Sequence, residues 1–557
     1  MSEYILVAVA WPYANGSLHL GHIAGAYLPA DIFARYNRLK GNHVLMVSGS
    51  DQHGTPITLR AEQELKSPQE IASRYHQEFL QCWQELGISF DLFTTTGTDN
   101  HAQVTQDMFL ELLQNGYIYK DKMLQAFCPT CQRFLADRYI EGTCPYCGYS
   151  NARGDQCDGC GKPINPSELK DIRCKICSST PRFESSEHFF LRLSALQKQL
   201  EDWVTKQKHW RNTVLSSTWK YLNEGLKDRA ITRDIKWGIK IPLDGFEGKR
   251  IYVWFEAVTG YLSASKEWAK LHGNENEWQK YWHNDAKSFY FIGKDNTFFH
   301  TLVWPAMLIG YKNLNLPYDV PANEFLTIEG SKLSTSRNWA VWLPDYLQRY
   351  DADPLRYYLT SSMPENADSD FSWEKFLRSN NNELVATYGN LIHRALTFTY
   401  RNYNGTVPSP GELDEPSKKL LQLAEITLND VNGALGRCSF REALRLNMSL
   451  AQEANRYLDA QAPWKTIKSD KEVAARTMYT VLCIAAVLRV TMYPFLPFSS
   501  EKLHAFLGFS GSIKDVGWRL QFPAIGQKLE EPHALFKKLD DSIVADETAR
   551  IGQVTGL

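Results

Sequence analysis

The sequence predicts an α/β fold: a Rossmann-like, doubly wound parallel sheet, interrupted by a cysteine-rich insertion and followed by an α-helical bundle. Three observations predict it. A strand–helix–strand rhythm opens the chain between Ile5 and Val47. Four Cys-x-x-Cys pairs crowd between Cys128 and Cys177. Beyond about residue 380, apolar residues recur three and four apart over several long stretches.

Residues 5–10 form an apolar, partly β-branched run, the pattern of a buried strand. Turn residues follow in Trp11-Pro12-Tyr13-Ala14-Asn15-Gly16-Ser17. A helical pattern then carries Ile23, Tyr27, Ile32, Phe33, Tyr36 and Leu39, with Pro29 as an interruption and Gly41 as its end. Residues 43–47 read as the next strand, completing a parallel βαβ unit. Residues 118–230 break the rhythm and read as the insertion. Strands are expected again over 251–255 and 289–292, and 324–328 leads into a loop with Gly330, Lys332 and Ser334. Residues 383–398, 417–435, 440–460 and 471–491 read as the bundle helices, with a Pro- and Gly-containing loop over 402–416. The expected division is 1–117 and 231–325 for the two halves of the α/β domain, 118–230 for the insertion, 326–380 for a connecting region and 381–557 for the bundle.

With 557 residues, 43% of them hydrophobic, the chain can bury several cores and is not a disordered protein. A formal charge of −2 excludes a chain that is basic all over, yet a local basic face suffices for phosphate contacts. The N-terminus lacks the basic stretch of a secretory signal, and no apolar run reads as long enough to cross a bilayer, so a cytoplasmic protein without membrane contact is expected. In that compartment the cysteine pairs read as metal ligands rather than disulfides. Two knuckles of two thiolates complete a tetrahedral zinc site, and quasi-nested spacing predicts one zinc on Cys144, Cys147, Cys157 and Cys160 and a second on Cys128, Cys131, Cys174 and Cys177, both structural. Cys82, Cys438 and Cys483 read as core residues.

Two short motifs flank the α/β region. His19-Leu20-Gly21-His22 follows the first strand, where a helix N-terminus attracts phosphate and two histidines three apart project to one side. Gly21 between them lets a flat base approach the backbone. Lys332-Leu333-Ser334-Thr335-Ser336 carries a cation able to stabilise charge on a reacting phosphate. Taken singly, each also fits an ordinary helix start or a solvated loop; their joint placement after predicted strands favours nucleotide chemistry.

These motifs resemble the HIGH and KMSKS signatures of class I aminoacyl-tRNA synthetases. More narrowly, Trp11-Pro12-Tyr13-Ala14-Asn15-Gly16, Asp51-Gln52-His53-Gly54-Thr55-Pro56, Tyr252-Val253-Trp254, Phe291-Ile292-Gly293-Lys294-Asp295 and Gln461-Ala462-Pro463-Trp464 resemble the methionyl-tRNA synthetases, in order and over nearly the whole chain. The resemblance implies a ligase that activates L-methionine with ATP and Mg²⁺ and transfers it to tRNA(Met). It implies His19, His22 and Lys332 as catalytic. It implies His19, Gly21, His22, Gly293, Asp295, Lys332, Ser334, Thr335 and Ser336 at ATP, with Arg233 near the substrates. Asp51 would take the methionine ammonium, and Tyr13, Trp254, Ala257, Tyr261 and His300 would surround its side chain. Asn390, Arg394 and Trp464 would bind the anticodon. Two departures stand out: Thr335 replaces the usual second lysine of the loop, with Arg337 as a substitute cation, and Val258 replaces a pocket proline. Rival readings are a synthetase for another apolar amino acid, a catalytically weak tRNA- or methionine-binding paralogue, and a zinc-ribbon RNA-binding module on a decayed core. As no OB-fold pattern follows the bundle, a monomer is expected.

Overall fold

The computed structural model describes residues 2–553, apart from 137–138, 155–156, 158, 161–163, 165, 312 and 334–337. Its central sheet has five parallel strands: β1 (Tyr4–Val9), β2 (His43–Ser50), β3 (Leu92–Thr95), β4 (Lys287–Gly293) and β5 (Ala322–Asn323), in the order β5-β4-β1-β2-β3. The chain winds one way through β1, β2 and β3 and the other way through β4 and β5. The switch point therefore lies between β1 and β4, and the carboxyl ends of those strands open a crevice for ligand.

The helix after β1 is continuous over residues 20–39 but contains a π-helical turn, Ile23–Tyr27, just before Pro29. Pro29 has no amide hydrogen for its helical partner, and the wider turn accommodates the gap without ending the helix. Gly41 ends it at φ +83°. The strand expected over 251–255 is a correction. Only Arg250–Ile251 is extended, and helix α1 (Val253–Leu271) starts two residues later. Its first turns are as apolar and β-branched as a strand, but they lie against the sheet, where packing overrides local propensity.

The insertion is a long antiparallel hairpin, Ile118–Cys128 against Arg182–Leu191, carrying a small three-stranded sheet at its tip. The bundle helices are α2 (Asn390–Asn402), α3 (Glu415–Gly436), α4 (Phe440–Gln461) and α5 (Lys471–Met492), within two residues of the stretches expected for the last three; the first expected stretch begins as a π-helix, Ser379–Gly389, that runs into α2. Helix α5 corrects another expectation: it has the length and mean hydropathy, 1.6, of a membrane span. It is the inner helix of the bundle, with 83% of its apolar window buried against neighbouring elements, and it carries the buried Arg489.

Candidate active site

Both nucleotide motifs stand at the switch point. His19 and His22 stack at 3.8 Å between ring centroids, and the His19 amide donates to His22 Nδ1 at 3.2 Å. Burial holds His22 down to about 4, and burial with the neighbouring His22 holds His19 well below its usual range. Both rings are therefore neutral at pH 7, so what they can offer an anion is an N–H rather than a positive charge. His19 Nδ1 is buried with no hydrogen-bond partner among the described residues, so one polar atom is left for a ligand.

The second motif comes to the first through Leu333. A Cβ placed on Gly21 would lie 2.6 Å from Leu333 Cδ1, so glycine lets that side chain approach the turn this closely. The Leu333 side chain thus packs against the backbone of the HLGH turn. Lys332 ends a two-residue strand, Ser331–Lys332, that pairs with Leu326–Ile328; its exposed ammonium stands 5.6 Å over the Phe325 ring. Ser334, Thr335, Ser336 and Arg337 lie outside the described residues. On the far side of the segment, Leu20 N–H donates to Val341 O and Leu343 N–H to Leu18 O, which ties its return to the HLGH turn. At the end of β4, Gly293 lies under the Asp295 carboxylate: a Cβ there would sit 2.8 Å from Asp295 Oδ1. Lys294 is held by Glu324 and Asp368, each at 2.7 Å.

Near the carboxyl ends of β1 and β2 a second group of side chains comes together. Tyr13 and Asp51 extend β1 and β2 by one parallel bridge. Because α1 is helical, Trp254, Ala257 and Tyr261 fall three and four apart on one face. Trp254 meets the Tyr13 ring edge-on at 6.4 Å and stacks on Phe299 at 4.3 Å. Tyr261 donates its hydroxyl to His300 Nε2 at 2.7 Å, while His300 Nδ1 donates to the Asn296 carbonyl at 2.9 Å. These two bonds fix the neutral tautomer, in keeping with a His300 pKa that burial lowers to about 4.

Asp51 is buried, 3% exposed, and its Oδ1 accepts only the His53 amide at 3.1 Å among the bonds found for its side chain. Burial, and then the nearby Glu256 carboxylate, raise its pKa to about 8. Glu256 is fully buried; its Oε2 meets His53 Nδ1 at 3.0 Å and its Oε1 has no partner among the described residues. Burial alone would lower His53, but Glu256 raises it overall. Of the two histidines facing Glu256, His101, 4.0 Å from its Oε2, is held neutral by a pKa that burial lowers to about 3, so this buried site with two carboxylates is short of positive charge. An ammonium group meets that need. Glu256, His53 and Phe299 were not singled out from the sequence; the available signals were that Glu256 is the one charged residue in 253–264 and that His53 lies within the Asp51–Pro56 motif.

The family model described as "tRNA synthetases class I (M)" matches residues 5–396, and that described as "Anticodon binding domain of methionyl tRNA ligase" matches 407–555. A methionine–tRNA ligase of Dehalococcoides mccartyi is 60% identical over 552 residues, covering 99% of this chain and all of the relative. One from Roseiflexus is 51% identical over 587 residues, with 99% of each chain covered. The chain belongs to the methionyl-tRNA synthetases. Among solved structures, the Mycobacterium tuberculosis methionyl-tRNA synthetase in complex with methionyl-adenylate superposes with a TM-score of 0.80 at 25% identity, covering 96% of this chain and all of that one.

In this synthetase the cysteines group as the spacing predicts: Cys128, Cys131, Cys174 and Cys177 in one cluster, Cys144, Cys147, Cys157 and Cys160 in the other, each with its sulfurs within 4.8 Å of one another. All eight are free thiols. Sulfur pairs stand at 3.4, 3.6 and 3.9 Å. Four thiolates about 2.3 Å from a tetrahedral ion lie about 3.8 Å apart, so the donor sets fit such an ion. Backbone amides of Cys131, Tyr146 and Gly159 donate to cluster sulfurs at 3.3 to 3.4 Å, which favours thiolate.

At the bundle end, Arg394 stands 4.9 Å over the Trp464 ring and pairs with Asp459 at 2.7 Å. Ala462, at φ +41°, turns the chain out of α4 so that Trp464 is 39% exposed. A cavity of about 320 Å³ has Trp464, Phe398 and Arg401 in its wall; a polar one of about 330 Å³ beside it is lined by Asn390, Asn455 and Gln452, and Arg394 borders both.

Proposed function

We propose that this protein joins L-methionine to the 3′ end of tRNA(Met) in two steps. In the first, a methionine carboxylate oxygen attacks the α-phosphorus of ATP, the bond to pyrophosphate breaks, and methionyl-adenylate forms. In the second, a hydroxyl of the terminal ribose attacks the adenylate carbonyl, AMP leaves, and the hydroxyl proton is lost. The observation that carries this reading is the meeting of HLGH with Lys332-Leu333 at the switch point, directly beside the Asp51–Trp254–Tyr261–His300 pocket.

Asp51 pairs with the methionine ammonium, and Tyr13, Trp254, Ala257, Tyr261 and His300 surround the thioether, which packs well on aromatic rings. His19 and His22 donate N–H to phosphate oxygens, with Gly21, Gly293 and Asp295 along the adenosine. Lys332 supplies the cation that gains most as charge builds on the leaving pyrophosphate, and Ser334, Thr335 and Ser336 complete its loop. Mg²⁺ bound with ATP would neutralise part of the triphosphate charge. Catalysis is positioning and electrostatics, without a covalent enzyme intermediate. The two cysteine clusters would each hold a zinc ion, which would tie together an insertion with a small core of its own. Asn390, Arg394 and Trp464 receive the anticodon. The working division is 1–117 with 231–325 for catalysis, 118–230 for the insertion, 326–380 for the connecting region and 381–557 for anticodon binding, in a monomeric, cytoplasmic enzyme.

The test is ATP–pyrophosphate exchange with each of the twenty amino acids in the absence of tRNA. Exchange with methionine alone is the expected result. Exchange with a different amino acid overturns the pocket assignment, and no exchange from folded, metal-replete protein overturns the reaction.

A further inference from the structure

We infer that His53 and Glu256 form a charge-balanced pair that positions Asp51 for the methionine ammonium, an inference that rests on the synthetase reading above. His53 is attached to both carboxylates of the site. Its amide donates to Asp51 Oδ1 at 3.1 Å, and its ring nitrogen Nδ1 meets Glu256 Oε2 at 3.0 Å. Glu256 stands on α1 between Trp254 and Ala257, so the pair joins the ammonium end of the site to the wall around the thioether. The main chain that carries Asp51 and His53 is held from the other side. Asp51 N–H donates to Pro12 O at 2.8 Å, Gln52 N–H to Thr96 Oγ1 at 2.9 Å, and Trp237 Nε1 to Gln52 O at 2.5 Å, with the Trp237 ring edge-on to His53.

Among the described residues, the titratable groups acting on the pair are Asp51, beyond the end of β2, and His101, on the helix Asp99–Gln114. His101 cannot share the work. Ser263 Oγ donates to the Gly260 carbonyl at 3.0 Å, so at 2.7 Å it accepts from His101 Nδ1–H. That bond sets a neutral tautomer with no proton on Nε2, the atom that faces Glu256. The charge on the wholly buried Glu256 is therefore met by His53, whose pKa it raises. These hydrogen bonds end inside the protein at Gly260, so their role is electrostatic and not the passage of a proton to solvent. A buried ion pair adds little to stability, because desolvation opposes it. What this pair provides is a charge count. Asp51 and Glu256 carry two negative charges, the His53 imidazolium one positive, and the ligand's ammonium completes the balance. In the free protein a proton on Asp51 completes it instead.

The test uses the full-length enzyme with Glu256→Gln, His53→Gln and the two together. Tryptophan fluorescence reads methionine affinity from pH 6 to pH 8, and methionine-dependent pyrophosphate exchange reads KM and kcat. Glu256→Gln keeps the shape and an acceptor for His53 but removes a charge that acts on Asp51 more strongly than the imidazolium does. Asp51 then ionises at lower pH, and the weakening of affinity from pH 8 to pH 6 should shrink from about fiftyfold to about tenfold or less. His53→Gln leaves two carboxylates without their imidazolium, so the KM for methionine should rise about 10- to 100-fold while kcat stays within about threefold. The double variant restores the balance and should recover about threefold or more of that loss. A pH profile of Glu256→Gln that is unchanged or moved to higher pH, losses that add in the double variant, or kcat falling as far as KM rises would each overturn the inference. The Glu256→Gln profile decides it if His53→Gln does not fold. Wild type that binds methionine without exchange defeats the synthetase reading and lets the binding comparison decide the pair; wild type that binds no methionine overturns both.

Discussion

Methionine binding should release protons, and the amount follows from the environment of Asp51. Its pKa of about 8 in the ligand-free protein, set by burial and by Glu256, leaves about nine in ten molecules protonated there at pH 7. Pairing with an ammonium favours the ionised carboxylate, so close to one proton, about 0.9, leaves per methionine bound at pH 7. Apparent affinity then weakens by about fiftyfold from pH 8 to pH 6, because an ever larger share of the free protein must first lose that proton. The ligand's own ammonium stays charged across this window. Titration calorimetry in buffers of differing ionisation enthalpy reads the proton count, and quenching of tryptophan fluorescence reads the affinity. The same shift sets the stability of the free protein. A carboxyl whose folded pKa is raised contributes stability that is fully present below the unfolded value and is lost as pH rises from there to about 8, so melting temperature should fall across that window and level off above it. Asp51→Asn should abolish both the proton release and this decline, and bind methionine about 10- to 100-fold more weakly. Flat affinity from pH 6 to 8 without proton release would refute the reasoning, since Asp51 would then be ionised before the ligand arrives.

Lys332→Ala should lower the rate of pyrophosphate exchange by about 10²- to 10³-fold with little change in methionine affinity, read by stopped-flow or exchange kinetics, because its charge counts most as pyrophosphate departs. Trp464→Ala should raise the KM for tRNA about 5- to 150-fold and leave tRNA-independent exchange intact; an equal loss in both assays would argue against a stacking role. Chelation of metal, or Cys144→Ser with Cys157→Ser, should melt the insertion before the rest of the chain. Hydrogen exchange that stays slow over Ile140–Thr143 would refute a metal-held fold there.

Much of this was legible because the deciding signals are local. Residues 5–10 form a buried strand since nothing in them competes with that pattern, and three of the bundle helices announce themselves by apolar periodicity. The cysteine pairing followed from spacing, as a hairpin returning on itself brings the outer knuckles together and leaves the inner two to each other. What the sequence hid depends on packing at long range. Residues 251–255 have the composition of a strand and become a helix start, and that change is what aligns Trp254, Ala257 and Tyr261. Nothing near Gly21 in the sequence announces that Leu333, over three hundred residues away, packs against it. Glu256 and His53 look ordinary until folding buries them beside Asp51 and changes its charge state.

The two working ends of the molecule are also tied by a buried charged joint. Asp31 lies on the helix that follows HLGH, within a described core from which it is wholly excluded from solvent. Its Oδ2 accepts from Arg35 at 2.8 Å and from Arg356 at 2.7 Å, and its Oδ1 accepts from the Ser89 amide and hydroxyl. Burial alone would raise its pKa, but the two guanidinium groups hold it at about 2. Arg356 also donates to the carbonyls of Pro494 and Phe495, and Arg35 to the Tyr493 hydroxyl, all immediately beyond α5. Such a joint is weak evidence for added stability, since desolvation opposes the attraction, but it is intolerant of half measures: loss of one partner strands a buried charge at a cost of about 3–5 kcal/mol. The base of the HLGH helix therefore cannot slide against α5 without breaking several directed bonds at once.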